Sequence, residues 1–331
     1  MEEPAEQINQ LIQSANKILI IQPDNPDGDS MGSSLALEQI LTLLGKDTEI
    51  VCGTTIPSYL RYIPGWDRVE HYQNFNFDLS IIVDTSSVSL LDNLAKQLNL
   101  SLIRSRPCIV IDHHQSEASI DFARVRLNIA DASATAEVIY ELAKTLNWEN
   151  TATGRNAIAA AILSDSQGLT ANNTSARTVH IIGELVESGV SLSALENARR
   201  DTMRKSPELV HYKGELLQRI EYFSDDRIAI LVIPWEEIER YSPAYNPSML
   251  AIEDMRLTTN TAVAIALKVY KEGKITGKIR SNYGMPIAAK LAEHFGGGGH
   301  EYASGFKLTI ATDLDQLKRD IVNYAMELLP K

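Results

Sequence analysis

Three apolar runs of this 331-residue chain end in side chains able to bind cations or move protons. KILIIQ (17–22) leads into PDNPDGDSMGSS, which carries Asp24, Asp27 and Asp29; LSIIVD (79–84) ends on Asp84; CIVIDHH (108–114) ends on Asp112, His113 and His114. A further acidic position, Asp165, stands where the helical run AAAIL breaks into SDSQG. An isolated Asp after a strand is usually a turn former, and a turn after KILIIQ needs only one of the three carboxylates there. Several carboxylates brought within a few ångströms, however, cannot all stay ionised without a cation. A mixed set of Asp oxygens and imidazole nitrogens suits Mn²⁺ and tolerates Mg²⁺, Fe²⁺ or Co²⁺, whereas the lack of thiolate ligands disfavours structural zinc. Asp27 and Asp29 would point to one side of an extended segment. Each could then serve one of two ions, with Asp84 bridging them from another strand.

The elements that must position these groups are legible in the pattern. KILIIQ, a helix near 31–45, DTEIVC (47–52), LSIIVD, a helix near 88–98 and CIVID (108–112) alternate through the first half. That alternation predicts an α/β fold with a mostly parallel sheet flanked by helices. In an open parallel sheet, ligands bind at the carboxyl ends of the strands, which is where these side chains would converge. Helices are expected next at 132–146, 152–163 and 173–188, followed by a charged segment ending near 221. After FSDDRIAILVIP (223–234) the pattern changes to helices mixed with strand pairs, among them TAVAIALKVYKEGKITGKIRS (261–281) with KEGK as its hairpin turn. The expected organisation is a metal-binding domain at 1–188, a helical linker at 189–223, and a smaller α/β domain with a mixed sheet at 224–331, across a cleft from the first.

The run GGGG at 296–299 lies between helical IAAKLAEHF and an apolar strand. Successive glycines permit backbone angles that turn several N–H groups inward as an anion nest; a flexible linker is the alternative, although linkers seldom sit inside a compact unit. Arg199, Arg200, Arg204 and Lys205 either line the cleft or form an exposed helix face. Tyr283 and Tyr302 either stack a base or pack at the core or its rim.

Composition narrows the partners. A length of 331 residues favours two domains, and 44% apolar with 22% charged residues fits a soluble globular protein. A net charge of −12 argues against a sequence-independent grip on long duplex nucleic acid, which needs many cations on one face. Short anionic substrates remain compatible, because a bound divalent metal reverses the local field in an acidic cleft. The opening MEEPAEQINQ has the wrong chemistry for a targeting signal. No run approaches the roughly 20 apolar residues of a membrane span. Cys52 and Cys108 sit in or at the edge of strand-like runs, so buried, reduced thiols and a cytoplasmic location are expected.

Taken together, NPDGDSMGS, IIVDTS, DHH at 112–114 and LSDSQG resemble the four motifs of the DHH phosphoesterase family, and KIRSN (278–282) with GGGGHEYASG (296–305) resembles its DHH-associated domain. The resemblance implies a two-metal site. Asp27 and Asp84 would hold one ion, and Asp29, Asp84, His113 and Asp165 the other; Asp112 would orient His113, as carboxylate partners of metal-bound imidazoles do. His114 would face the scissile phosphate as a donor or acid. Arg280, Ser281 and His300, with the amides of Gly296, Gly297, Gly298 and Gly299, would receive the substrate's phosphate, Arg280 also spreading charge on the reacting phosphoryl group. Mn²⁺ is the first choice of ion and Mg²⁺ the second.

One position departs from the family. Its first motif opens with a metal-binding His three residues before the proline of PDGD, here Pro26, and the residue at that place is Pro23. Asp24 or Gln22 supplies a ligand instead, which would favour a harder ion such as Mg²⁺; or the first ion site is weak and fills only with substrate; or the protein binds nucleotide without turnover. The other motif positions are kept. The function implied is therefore a metal-dependent phosphohydrolase cleaving short phosphorylated nucleotides, namely nanoRNA, linear dinucleotides such as pApA, or 3′-phosphoadenosine 5′-phosphate (pAp), through a water activated by two ions. Alternatives are a RecJ-type single-strand exonuclease, whose usual extra nucleic-acid-binding domains this length does not accommodate, and a catalytically weakened nucleotide-binding protein. Family members are often dimers, so the resemblance leaves a homodimer open.

Overall fold

The computed structural model describes residues 2–70, 76–98, 100–115, 119–309 and 313–330. The chain divides into two compact units, Met1–Arg204 and Lys205–Lys331.

The first unit begins with α1 (Glu2–Ser14), β1 (Lys17–Ile21), α2 (Gly28–Leu43), β2 (Asp47–Val51), β3 (Val69–Glu70) and β4 (Leu79–Val83). It continues through α3 (Asp92–Gln97), α4 (Leu100–Arg104), β5 (Cys108–Asp112) and β6 (Val125–Asn128). Four helices close it: α5 (Thr135–Thr145), α6 (Ala152–Asp165), α7 (Ala176–Glu187) and α8 (Leu192–Thr202). Among the described residues the strands form one sheet in the order β3-β2-β1-β4-β5-β6, with every neighbouring pair parallel. β4 and β5 are buried along their whole length, which is why they read as unbroken apolar runs and not as alternation. One face packs on α1, α2 and α5–α8 through residues such as Ile8, Leu35, Val138 and Ile158. The other packs on α3 and α4 through Leu94, Leu98 and Ile103. The sheet grows in opposite directions from β1, so the topological switch point falls between β1 and β4.

α2 and α6 approach each other closely at two glycines one helical turn apart. A Cβ on Gly32 would lie 2.4 Å from the Ala157 carbonyl oxygen and 2.7 Å from the Ala161 Cβ; one on Gly28 would lie 2.4 Å from the Ser164 Cβ. This contact carries the end of α6, with Asp165, to the beginning of α2.

The second unit contains α9 (Pro207–Gln218), β7 (Glu221–Phe223), β8 (Ile228–Ile233), α10 (Trp235–Tyr241), α11 (Pro247–Arg256), β9 (Val263–Val269) and β10 (Ile275–Ser281). α12 (Ala288–His294), β11 (Gly298–His300), β12 (Ala303–Leu308) and α13 (Leu314–Leu328) follow. Among the described residues its sheet runs β11-β12-β10-β9-β8-β7 and is mixed: β8 and β9 are parallel and the other pairs antiparallel. The β9–β10 hairpin turns where KEGK predicts it, closed by the Tyr270 N–H on the Lys274 carbonyl with Gly273 at φ 77°. One face of the sheet packs on α12 and α13, the other on α9–α11. Of the helical stretch at 189–223, α8 belongs to the first unit and α9 to the second. Cys52 and Cys108 are buried thiols. Among the described residues no helix is long and apolar enough to cross a membrane.

Candidate active site

The loop after β1 is not extended as the spacing of its carboxylates suggests. Asp27 caps α2: its Oδ1 accepts the Asp29 and Ser30 N–H groups, both at 3.0 Å, while Ser30 Oγ accepts the Asp27 N–H at 2.9 Å. This reciprocal capping box starts the helix at Gly28, earlier than expected, and puts Asp29 in its first turn. Asp29 is fully buried and its carboxylate accepts the Thr135 N–H at 2.6 Å, the Ala136 N–H at 3.1 Å and the Ser33 hydroxyl at 3.0 Å. The first two donors are the unpaired amides at the start of α5, whose helix dipole favours a negative charge. Burial nevertheless pushes the Asp29 carboxyl up to about 6, with the charge of Asp165 adding to it.

Asp84 follows β4 at φ 61°, a left-handed conformation that Asp tolerates better than most residues and that clusters at functional sites. Its N–H donates to the Ile111 carbonyl at 2.9 Å and its Oδ1 accepts the Thr135 hydroxyl at 2.9 Å. Burial, together with the charges of Asp29 and Asp27, holds its carboxyl well above the usual range. At the end of β5, Asp112 Oδ2 accepts the Ser86 hydroxyl at 2.5 Å and Oδ1 the His113 N–H at 2.9 Å. The same Oδ1 pairs with His114 Nδ1 at 2.8 Å. Asp112 therefore orients the His114 ring and not the His113 ring as expected; His113 Nδ1 is held instead by the Ala132 carbonyl at 3.2 Å. Burial opposes charge on Asp112, but the hydrogen bonds from His114 and Ser86 outweigh it and lower its pKa. The bond to Asp112 raises that of His114, whose side chain is 49% exposed.

Four of the five expected metal ligands converge. His113 Nε2 is buried without a hydrogen-bond partner, and lies 3.7 Å from Asp29 Oδ2, 3.7 Å from Asp84 Oδ1 and 3.4 Å from Asp165 Oδ2. Burial disfavours the imidazolium, yet Asp165 and Asp29 overcome it and push His113 up to about 9. Two ligand sets result: Asp29, His113 and Asp165, and Asp84, His113 and His114, each with donor atoms within 4.8 Å of one another. An orphaned imidazole nitrogen facing three carboxylates is the arrangement a divalent ion resolves. Asp27 stands outside both sets, with one oxygen committed to the α2 cap; His114 joins one, which the sequence did not indicate.

Around Pro23 the alternatives separate. Both Asp24 oxygens accept α3 amides, Oδ2 from Asn93 at 2.5 Å and Oδ1 from Leu94 at 3.2 Å, so Asp24 caps that helix from a distance. The Gln22 side-chain nitrogen donates to Ser34 Oγ at 2.7 Å, while its buried Oε1 has no partner.

In the second unit, the four glycine amides do not form one nest. The Gly296 N–H donates to the Glu293 carbonyl and the Gly297 N–H to the Ala292 carbonyl, a Schellman cap ending α12, with Gly296 at φ 74°. Gly298 and Gly299 instead belong to strand β11 and, with Arg280 and His300, line a recess on the sheet. Ser281 faces the opposite way: it is buried and its hydroxyl donates to the Glu301 carbonyl at 3.2 Å. Strand alternation accounts for this, since adjacent Arg280 and Ser281 must point to opposite faces. Tyr283 is 85% exposed and lies parallel to Tyr302, with centroids 6.3 Å apart. The basic group at 199–205 is largely an exposed face: Arg199 and Arg200 pair with Glu196, and Arg204 with Asp201.

Residues not singled out from the sequence turn out to organise the site. The segment from Ala132 to Ala136 holds His113, Asp29 and Asp84 at once, through the Ala132 carbonyl, the two α5 amides and the Thr135 hydroxyl. Its signal is the small and hydroxylic run ASAT before a helix, which reads as ordinary capping.

Residues 17–164 match the model of the DHH family, N-terminal domain. The chain is 26% identical over 309 residues to a bifunctional oligoribonuclease and PAP phosphatase NrnA from Thermus thermophilus, covering 93% of this chain and 88% of that protein. It is 24% identical over 314 residues to a protein of the same name from Bacillus subtilis, covering 94% and 95%. The crystal structure of an exopolyphosphatase-related protein from Bacteroides fragilis shares the fold, with a TM-score of 0.84 over 99% of this chain and 98% of that one at 22% identity.

Proposed function

Residues 17–164 match the N-terminal domain of the DHH family, and from that premise we propose that the chain is a phosphoester hydrolase that removes nucleotides or phosphate from short phosphorylated nucleotides such as nanoRNA, pApA or pAp. The observation that carries the reading is His113 Nε2, buried, unpartnered and facing Asp29 in the first turn of α2, Asp84 after β4 and Asp165 at the end of α6. Mn²⁺, or Mg²⁺ in its place, would be held by these four residues and would supply Lewis acidity and a water of lowered pKa. Asp27, whose Oδ1 caps α2 while its other oxygen makes no hydrogen bond among the described residues, would add a ligand for a second ion. Gln22 Oε1 is a better substitute than Asp24 for the ligand missing at Pro23, because both Asp24 oxygens are occupied.

The protein's own groups do the rest. Asp112 accepts from His114 Nδ1 and so presents Nε2 outward as the acid that protonates the leaving oxygen. Arg280 and His300 take the substrate's terminal phosphate, which directs cleavage to ends. The names of the relatives support the substrate class, and their matches run through both units. The reducing cytoplasm suits two buried thiols.

The purified protein, assayed with Mn²⁺ on pApA, on oligoribonucleotides of a few residues and on pAp, should turn over at least one of them. A folded protein inactive on all three refutes the reading. Asp84→Ala, which removes a carboxylate facing His113, should lower the rate by more than about 100-fold; a near-normal rate would rule out the metal centre as the seat of catalysis.

A further inference from the structure

On the sheet of the second unit, α9–α11 cover β8 and β9 and leave a recess of about 540 Å³ over β10, β12 and β11. Register determines its floor. Ala266, Lys278, Gly305 and Gly298 form one row across β9, β10, β12 and β11, and Ala264, Arg280, Ala303 and His300 form the next. Lys268 opposes Thr276 in the row beyond Lys278. Small residues thus make a flat floor from which Lys268, Lys278, Arg280 and His300 rise. Asn246 and Ser248, at the start of α11, form part of the rim.

Three of these side chains are cations without a counter-ion. Among the described residues Lys268, Lys278 and Arg280 make no ion pair. Lys278 Nζ lies 2.8 Å from Met249 Sδ, and Arg280 donates to the Ile279 carbonyl at 2.9 Å. Among the described residues no Asp or Glu lines the recess; Glu253, whose charge bears on Arg280, pairs with Arg256 at 2.7 Å. All three are half-buried, and burial lowers the pKa of each. Holding three partly desolvated cations together in a chain of net charge −12 is unfavourable unless an anion joins them. One phosphate carries a charge of only about −1.5 to −2, less than the three cations require.

We propose that this recess takes the two linked phosphates of a diphosphate end, Arg280 and His300 meeting one phosphate and Lys268 and Lys278, with the first turn of α11, meeting the other. This deepens the reading above, in which the second unit receives the substrate's terminal phosphate. It assigns Lys268 and Lys278 the choice between a mono- and a diphosphorylated end.

Calorimetric titration of the metal-free full chain with 5′-monophosphorylated pApA and 5′-diphosphorylated ppApA tests it. The expected ratio of affinities is about tenfold or more in favour of ppApA, the effect of one added charge-assisted contact. Lys268→Gln and Lys278→Gln, which keep most of the stem and remove the charge, should each bring the ratio toward one, with thermal melts confirming that the variants fold. Inorganic pyrophosphate against orthophosphate should show the same preference if the phosphates themselves are read. A ratio near one in the wild type, or a ratio that survives both lysine variants, overturns the proposal. Mn²⁺-dependent hydrolysis of pApA is measured separately: its absence would refute the catalytic reading without touching the ratio, and a ratio near one beside intact hydrolysis would refute the diphosphate site alone.

Discussion

Gly32→Ala would test whether the contact between α2 and α6 positions the candidate metal site. The added Cβ would lie 2.4 Å from the Ala157 carbonyl oxygen and 2.7 Å from the Ala161 Cβ. Ordinary contacts of these kinds are roughly 3.3–4 Å, so the shortfall is about 1 Å. One neighbour is backbone and the other a Cβ fixed to it, so no rotamer change relieves the clash and the helices must separate. α2 carries Asp29 and α6 carries Asp165, and the 3.4 Å between His113 Nε2 and Asp165 Oδ2 would change by a similar amount. Overpacking of this kind costs about 1–3 kcal/mol, or a melting temperature lower by about 2–4 °C per kcal/mol in a unit of this size. A 1 Å displacement in an active site costs about 100-fold in rate. Mn²⁺-dependent hydrolysis of pApA and thermal melting, measured on one preparation, read both effects. Gly183→Ala on α7, where nothing lies within 4 Å, is the control and should stabilise by about 0.5–1 kcal/mol. If Gly32→Ala loses stability but keeps wild-type turnover and metal requirement, the helix contact does not position Asp165.

Thr135→Val removes the hydroxyl that Asp84 accepts at 2.9 Å. It should lower activity by about 10–100-fold, with recovery in Thr135→Ser; unchanged turnover in the valine variant would deny Thr135 any part in aiming Asp84. With His113 pushed up to about 9, that imidazole is mostly protonated at pH 7.5. Binding of Mn²⁺ should then release at least one proton, since the raised Asp84 and Asp29 carboxyls can only add to the count, and tighten by about tenfold or more per pH unit up to that value. Calorimetry in buffers of different ionisation enthalpy counts the protons, and a count of zero contradicts the site. Away from the site, Lys144 and then Tyr140 hold Glu184 down to about 2 from an ordinary 4.5, with Arg177 also bonded to it. A depressed carboxyl stabilises the fold fully above its unfolded value and loses that contribution as pH falls. The advantage of wild type over Glu184→Gln in urea midpoints should therefore shrink between about pH 4.5 and 2, and a constant difference would refute the network's contribution.

Much of this arrangement is written in short-range pattern. KILII, LSIIV and CIVID are apolar on both faces, and only a covered parallel sheet buries such runs. Asp112 ends β5, and Asp84, His113 and His114 follow their strands directly, so the strands alone bring them to one edge. KEGK turns where its glycine permits a positive φ. Each of these depends on neighbours a few residues away, which is the range over which backbone preference acts.

The direction of individual side chains was decided elsewhere. Asp24 and Asp29 are the same residue type in one loop, yet Asp24 caps α3 across about 70 positions while Asp29 is held by α5 amides across 106 and 107. What separates them is the capping box at Asp27, which begins α2 at Gly28 and turns Asp29 inward. GGGG likewise reads as a single feature, but two of its amides close α12 and the other two residues enter a strand. Ala132, Thr135, Gly28 and Gly32 look unremarkable beside the acidic motifs, yet the first two hold His113, Asp29 and Asp84 by hydrogen bonds and the two glycines let α6 come close to α2. Hydrogen bonds and steric contacts between distant segments carry no local periodicity, so only the folded chain assigns His113 to Ala132, His114 to Asp112, and Asp165 to the beginning of α2.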